Sequence, residues 1–418
     1  MEKFGYQLVD YLEDFYFEEK PSLFSDKKIT QKDAIFVNGK SYPRFINEFW
    51  TSKQRQGNSL HELAYRACFK SQLPQFFINL LTKKGDVVYD PFSGRGTTAI
   101  EAGLLGRNVI ANDINPLSKI LCLPRFFIPR PEEVNARLLK IPLIAGAKAD
   151  INLSMFFHKK TEEEIISLKK YLESKKGRED KLDMWIRMVA TNRLTGHSAG
   201  YFSVYTLPPN QAVSPESQIK INQKRAQKPE YRNTKEIIIK KTRALIKDLS
   251  SSVVDLLRDA GHRAMFLSED ARHSAKISGD SVQLTVTSPP FLDIVQYSKD
   301  NWLRCWFNSI DDKKVAKKIT TLKSLSEWAR VMGDVFSELF RITRPGGWVA
   351  FEVGEVRNGT IKLDESIIPI GVKAGFSCLG VLINKQEFTK TSNIWGIKNN
   401  NKGTNTNRIV LFNKQQLA

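Results

Sequence analysis

The stretch from Val87 to Asp113 constrains the fold of this chain more than any other. Val87-Val88-Tyr89 is a short apolar run that closes at Asp90, and the loop Pro91-Phe92-Ser93-Gly94-Arg95-Gly96 follows it. Thr97 to Leu105 then reads as a helix capped by Gly106, and Asn108-Val109-Ile110-Ala111-Asn112 reads as a second strand ending at Asp113. Strand, turn, helix and strand in this order make a βαβ unit, the building block of parallel sheets. An amphipathic helix over Ser71–Thr82 precedes it, with Leu73, Phe76, Phe77, Leu80 and Leu81 apolar. The expected fold class is therefore α/β: a doubly wound, mostly parallel, Rossmann-like sheet that binds ligand at the carboxyl ends of its strands. Gly94 and Gly96 lack side chains, so a ligand can approach the loop backbone closely. Gly94-x-Gly96-x-x-Ala99 also satisfies the loose dinucleotide fingerprint, and by itself it would equally suit a dehydrogenase or a purely structural turn.

The rest of the chain divides around this unit. Residues 1–56 read as a packing extension with one short helix and a loop around Asn38-Gly39. Residues 57–122 carry the βαβ unit. Residues 123–262 break its rhythm with helical patterns over Thr161–Leu172 and Thr234–Leu257, so they read as a large, mainly helical insertion. From 263 to 418 the βα alternation resumes. Ala264–Leu267 is strand-like and ends near Asp270, and Val282–Val286 ends at Thr287-Ser288-Pro289-Pro290-Phe291. A long helix is expected over Leu325–Arg341, then the turn Arg344-Pro345-Gly346-Gly347 into a strand over Trp348–Val353. Phe376–Ile383 and Ile409–Phe412 are expected to close the sheet as an antiparallel pair.

Ser288-Pro289-Pro290-Phe291 is the second chemistry-bearing loop. Adjacent prolines fix φ and remove backbone donors, so the loop is stiff and presents carbonyls without competing N–H groups. A serine oxygen and a rigid proline carbonyl together accept both hydrogens of an exocyclic amine. That draws the nitrogen lone pair out of ring conjugation and aims it, while Phe291 stacks on the ring, worth roughly 1–3 kcal/mol.

The two loops together resemble those of the S-adenosylmethionine-dependent DNA amino-methyltransferases. That family's cofactor loop, Asp-Pro-Phe-x-Gly-x-Gly-Thr-Thr, is matched by Asp90–Thr98, and its catalytic motif, (Asn/Asp/Ser)-Pro-Pro-(Tyr/Phe), by Ser288–Phe291. Phe69–Pro74, Asn112–Pro116, Ser268–Arg272, Arg344–Gly347, Asn393–Gly396 and Arg408–Lys414 are similar to flanking segments, so the resemblance covers roughly 57–122 and 262–414. It implies S-adenosylmethionine bound over Asp90, Pro91, Phe92, Gly94, Gly96, Thr97 and Thr98. Asp113 and Ile114 would lie at the ribose, and Asp270 and Ala271 at the adenine. Ser288, Pro289, Pro290 and Phe291 would be catalytic. Serine before Pro-Pro is typical of members that methylate cytosine N4, whereas Asn or Asp is typical of adenine N6. Cytosine N4 is the expected target, with adenine N6 and an RNA amine as alternatives. Carbon-5 methylation needs a Cys nucleophile in a Pro-Cys motif, and the chain has no Pro-Cys.

Composition agrees with a polyanionic partner. The 418 residues include 64 Lys plus Arg against 45 Asp plus Glu, a net charge of +19. The window 215–247 concentrates that excess, with ten basic residues against Glu216, Glu230 and Glu236. Lys220, Lys224, Arg225, Lys240, Lys241 and Arg243 are the candidate contacts to double-stranded DNA. In this family the target-recognition segment often lies just before the catalytic motif, yet here the long gap falls earlier. Residues 123–262 therefore either read bases or only clamp the backbone. A restriction–modification system, with a cognate restriction endonuclease encoded nearby, is the expected setting. The widely spaced Cys68, Cys122, Cys305 and Cys378, the lack of a long apolar run and the lack of an N-terminal apolar leader point to a cytoplasmic protein with no membrane or metal partner.

Several polar groups stand outside these motifs. The five histidines show no ligand spacing. Asn192–His197 and Leu207–Asn210 are candidate linings of the DNA or base pocket. Trp302 and Trp306 are expected to pack in the core, and Gln296 and Tyr297 to lie near a flipped base.

Overall fold

A computed structural model describes residues 2–17, 28–50, 57–66, 68–208, 211–290, 297–318, 324–356, 361–385 and 406–416. Its centre is a nine-stranded sheet. In chain order the strands are β1 (Gln31–Val37), β2 (Lys40–Asn47), β3 (Val87–Asp90), β4 (Asn108–Asn112), β5 (Met265–Leu267), β6 (Val282–Thr287), β7 (Thr343–Val353), β8 (Ser377–Lys385) and β9 (Thr406–Asn413). Their spatial order is β1-β2-β8-β9-β7-β6-β3-β4-β5. The strands β7-β6-β3-β4-β5 are mutually parallel, and β9 enters antiparallel between β7 and β8. The doubly wound, mostly parallel α/β architecture expected from the βαβ unit is the one observed.

The sheet separates two apolar layers because side chains alternate along each strand. Val88, Leu284, Val286, Trp348, Ala350, Ile409 and Leu411 face one core, with α1 (Gln72–Leu81) and α2 (Thr97–Leu104) packed there. Tyr89, Val349, Phe351, Val353, Val410 and Phe412 face the other, covered by helices at Leu325–Ile342 and Leu363–Lys373. The first of those two helices buries Trp328, Val331, Met332, Val335, Phe336, Leu339 and Ile342, a pattern of i+3 and i+4 steps that makes one continuous stripe.

Three features differ from the sequence-based expectation. The pair β8–β9 is antiparallel as expected, but it does not close the sheet. A hairpin within residues 1–56, turning at Asn38-Gly39, adds two further strands, and β2 runs parallel to β8. Asn384 fastens this edge: its carbonyl oxygen accepts from the amides of Phe49 and Trp50.

The helical pattern over Thr234–Leu257 is two helices. Following α3 (Lys159–Ser174), α4 (Lys181–Arg193) and α5 (Pro215–Lys224) come α6 (Thr234–Ile246) and α7 (Ser251–Arg263). Ser250 breaks the run, its hydroxyl accepting from the Val253 amide as an N-cap. Finally, α7 packs on α2 and β4, so it belongs to the layer over the sheet although it falls within residues 123–262.

The remaining helices of 123–262 share the first apolar layer: Phe156, Leu168, Trp185, Val189, Ile238 and Leu245 are continuous with it. They are tied to segments on both sides. Asn192, itself buried, bonds both the N–H and the C=O of Ala64. Trp302 donates to the Val213 carbonyl at 3.1 Å and Trp306 to Asp150 at 2.7 Å. These two tryptophans are half-buried, packing at the edge of the first apolar layer, where the expectation was the core itself. No helix among the described residues is long and apolar enough to cross a membrane.

Candidate active site

A pocket opens at the carboxyl ends of β3, β4, β5 and β6. The first loop supplies its floor. Gly94 (φ +51°) and Gly96 (φ +81°) take left-handed backbone angles that let the chain turn sharply from β3 into α2. They serve different ends. A β-carbon on Gly94 would meet nothing nearer than 3.5 Å, whereas one on Gly96 would sit 2.3 Å from Cys122 Sγ. Gly96 therefore makes room for the protein itself: it does not line the pocket, and its close neighbours are Cys122 and Arg125. Arg125 is fully buried and knits the loop from behind, donating to the carbonyls of Leu60, Arg95 and Leu121.

Asp90 ends β3 with its side chain engaged. It accepts from the Phe92 amide at 3.1 Å and from the Thr287 hydroxyl at 2.6 Å. Burial pushes its carboxyl up to about 7 despite these bonds. The Thr287 bond joins the first loop to the second. Thr98 strengthens that junction, since its hydroxyl donates to the Val286 carbonyl at 3.0 Å. Thr98 thus lies behind the pocket wall, a correction to the expectation that it touches ligand.

Asp113, at the end of β4, accepts from Gly94 N–H at 2.8 Å and Asn115 N–H at 2.9 Å, and burial raises it to about 6. Asp270 is held by a two-pronged contact from Arg272, whose hydrogen bonds keep its carboxyl below the ordinary value.

The pocket brings together Asp90, Pro91, Phe92, Gly94, Thr97, Asp113, Ile114, Asp270, Ala271, Ser288 and Pro290. Gly96, Thr98 and Pro289 do not line it. Phe291 and Gln296 lie outside the described residues, as do Pro209, Asn210 and Asn393–Gly396. The Pro290 carbonyl accepts from the Trp328 indole N–H at 3.1 Å, which fastens the Ser-Pro-Pro loop to the long helix beside it.

Sequence reasoning missed one wall. Val331, Met332 and Val335 complete the pocket from the helix at Leu325–Ile342, whereas Phe69, from the segment that the resemblance already set beside the cofactor loop, lines it with Tyr65 and Cys68. That helix was legible, but its role at the pocket depends on a chain reversal no local pattern shows. Glu352 was missed as well. It is a buried acid in the apolar half of β7, accepting from the Asn407 side-chain amide. A lone glutamate inside Trp348–Val353 was the available signal.

The basic window is exposed in part. Lys220 and Lys224 lie one turn apart on α5, and Lys240 and Arg243 share an exposed face of α6. Arg225 is exposed and stacks over the Tyr205 ring at 3.9 Å. Lys241 is a correction: it is buried on the inner face of α6, 3.5 Å from Glu62, and burial pushes its ammonium down to about 8. Asn192 and Arg193 are likewise buried, the latter stacked on Tyr201, so they brace the helical region.

A family model described as DNA methylase, of the N6/N4 type, matches residues 16–119. The Type II methyltransferase M.BsoBI of Geobacillus stearothermophilus is 24% identical over 305 residues, which is 65% of this chain and 57% of that one. Over residues 16–119 the chain is similar to the N6/N4 DNA methylase family. It spans a little over half the length of M.BsoBI. A tRNA (guanine(10)-N2)-dimethyltransferase of Methanocaldococcus jannaschii is 38% identical over 63 residues, 15% of this chain and 18% of that one. Among solved structures, a DNA modification methylase of Thermus thermophilus is similar at 24% identity over 35% of this chain and 51% of its own, with a TM-score of 0.22. An rRNA methyltransferase of Streptomyces viridochromogenes is similar at 11% identity over 85% and 89%, with a TM-score of 0.34.

Proposed function

We propose that this protein is a DNA amino-methyltransferase that transfers a methyl group from S-adenosylmethionine to the exocyclic N4 amine of cytosine in duplex DNA. The observation that carries this reading is the junction of the two loops. Thr287 bonds Asp90, so Ser288 opens onto the same pocket as the glycine loop.

The pocket residues fit such a cofactor. Asp113 offers carboxylate oxygens for ribose hydroxyls, and Asp270 offers one for an adenine amine. Phe92, Ile114, Ala271, Val331 and Val335 offer apolar surface for a flat ring. The cofactor supplies an electrophilic methyl group. The chain supplies position: Ser288 and the Pro289 carbonyl hold the amine, Phe291 stacks on the base, and the site excludes water. The target base leaves the stack to reach this depth, which costs a few kcal/mol. Serine in place of Asn or Asp supports cytosine over adenine. Similarity to a Type II methyltransferase supports a restriction–modification setting.

Two results are expected. Burial lifts Asp113 to about 6, so it is ionised above that pH and protonated below it. Cofactor affinity should be flat from pH 7 to 8 and about tenfold weaker at pH 5, as linkage to one required carboxylate demands. Calorimetry across that range checks this, and Asp113→Asn should remove Asp113's share of the dependence.

Phosphate contacts are assigned to the exposed faces of α5 and α6. Replacing Lys240 and Arg243 by alanine should weaken DNA binding at low salt and lower the salt slope by about one for each phosphate left without its cation. Replacing Lys241 should destabilise the fold instead.

A further inference from the structure

We propose that α8 (Asp312–Lys318) is a second grip on the DNA backbone, set at the rim of the pocket, where its lysines hold the phosphates beside the extruded base. This rests on the DNA-modifying reading above and deepens it by naming the surface that meets the target strand.

The helix reads Asp-Lys-Lys-Val-Ala-Lys-Lys. Successive residues turn by about 100°, so Lys313, Lys314, Lys317 and Lys318 fall within one arc of roughly 140°. All four are exposed. Val315 points the other way and is buried, which turns the lysine face outward. The buried side packs against the helices Tyr297–Asp300 and Trp302–Phe307. The first of these is pinned in place. Its buried Asp300 pairs with Arg66 at 2.9 Å, and the Asp300 carbonyl accepts from the Ala212 amide at 3.0 Å.

A run of lysines on a helix is ordinarily a solvated face, but this one works against its own helix. Lys313 and Lys317 are like charges four residues apart, as are Lys314 and Lys318, and such pairs weaken a helix. Lys317 and Lys318 suit the negative end of the helix dipole, whereas Lys313 and Lys314 lie in the first turn, where cations are disfavoured. Among the described residues the one ion pair to any of the four is Asp311 with Lys314, at 3.8 Å and exposed on both sides. A polyanion laid along this face relieves the repulsion.

Position makes that polyanion the substrate strand. Lys318 lines the pocket together with Ser288 and Pro290, and its exposure places it at the rim. The other cation lining the pocket, Arg272, is committed to Asp270. Lys318 has no ion pair among the described residues, so its ammonium is available to a phosphate. No residue of α5 or α6 lines the pocket. Those helices therefore bear on overall affinity, while α8 bears on the nucleotide that has left the stack. Lysine suits this duty, because an ammonium on a flexible stem meets phosphate oxygens without demanding any pattern of base edges. The helix grips the strand and does not read it.

The test uses the full chain, duplex DNA and titrations over about 0.05–0.2 M salt. Replacing Lys313, Lys314, Lys317 and Lys318 together by glutamine should lower the salt slope of binding by about three to four. Thermal unfolding should be unchanged or move upward, because the repulsion is gone. Lys318→Gln alone should slow single-turnover methyl transfer roughly tenfold, the order of effect that one lost phosphate contact brings, with cofactor affinity as in the parent. Lys318→Arg should restore most of that rate. A salt slope equal to the parent's in the fourfold variant would overturn the proposal. So would a Lys318→Gln protein that loses cofactor affinity, since the ammonium would then serve the cofactor, or a parent that binds RNA and not duplex DNA. If the parent binds duplex DNA with the expected slopes but transfers no methyl group, the methyl-transfer reading has failed and the grip stands.

Discussion

Replacing Ser288 by alanine should reduce methyl transfer by roughly a hundred- to thousandfold, the usual cost of removing one oriented hydrogen-bonding group at a reacting centre. The hydroxyl sits where the second loop meets the pocket, and its loss leaves one amine hydrogen unheld. The amine lone pair would then stay conjugated with the ring and point away from the incoming methyl group. Cofactor affinity should change little, because the assigned adenosyl contacts are Asp113 and Asp270 on other strands. Adding Phe291→Ala should deepen the loss by removing the stacking partner. Single-turnover transfer and cofactor calorimetry on the same preparation separate the two effects. A variant with full activity would show that the amine is held elsewhere.

Gly96→Ala is expected to destabilise the fold strongly. Its β-carbon would lie 2.3 Å from Cys122 Sγ and 2.8 Å from Cys122 Cβ, and Cys122 is fully buried with nowhere to go. Overpacking of this kind costs about 1–3 kcal/mol. The left-handed backbone at φ +81° adds about 1–2 kcal/mol for any residue with a β-carbon. Gly94→Ala is the informative comparison. It carries the conformational cost at φ +51°, but its nearest neighbour would be 3.5 Å away. Denaturant unfolding should show Gly96→Ala destabilised by roughly 3 kcal/mol or more, and Gly94→Ala by less than half of that. Equal losses would mean that Cys122 can yield.

The sequence made the βαβ part of the molecule legible because its signals are local. The strand ending at Asp90, the glycine turn, the helix from Thr97 and the strand ending at Asp113 are encoded within one short segment, and the structure places their ends within a residue of the expectation. The N-terminal hairpin was not legible. β1 is mostly exposed along its length and β2 contains Pro43, so neither shows the apolar alternation of a buried strand. The parallel partner of β2 is β8, more than 300 residues away, and such pairings leave no local trace.

Charge counting had the same weakness. It could not tell Lys240 from Lys241, because adjacent residues on a helix point about 100° apart and only the packing shows which side is buried. The inner wall of the pocket, from Val331 to Val335, read correctly as helix, but its position follows from how that helix folds back over the sheet.

The central claim is tested most directly by the product. Duplex DNA incubated with the full chain and methyl-labelled S-adenosylmethionine, digested to nucleosides and resolved by mass, should contain labelled N4-methylcytosine. Labelled N6-methyladenine would contradict the cytosine assignment while keeping amino methylation. Label in RNA but not in DNA, or no labelled nucleoside at all, would contradict the account of this chain as a DNA-modifying enzyme.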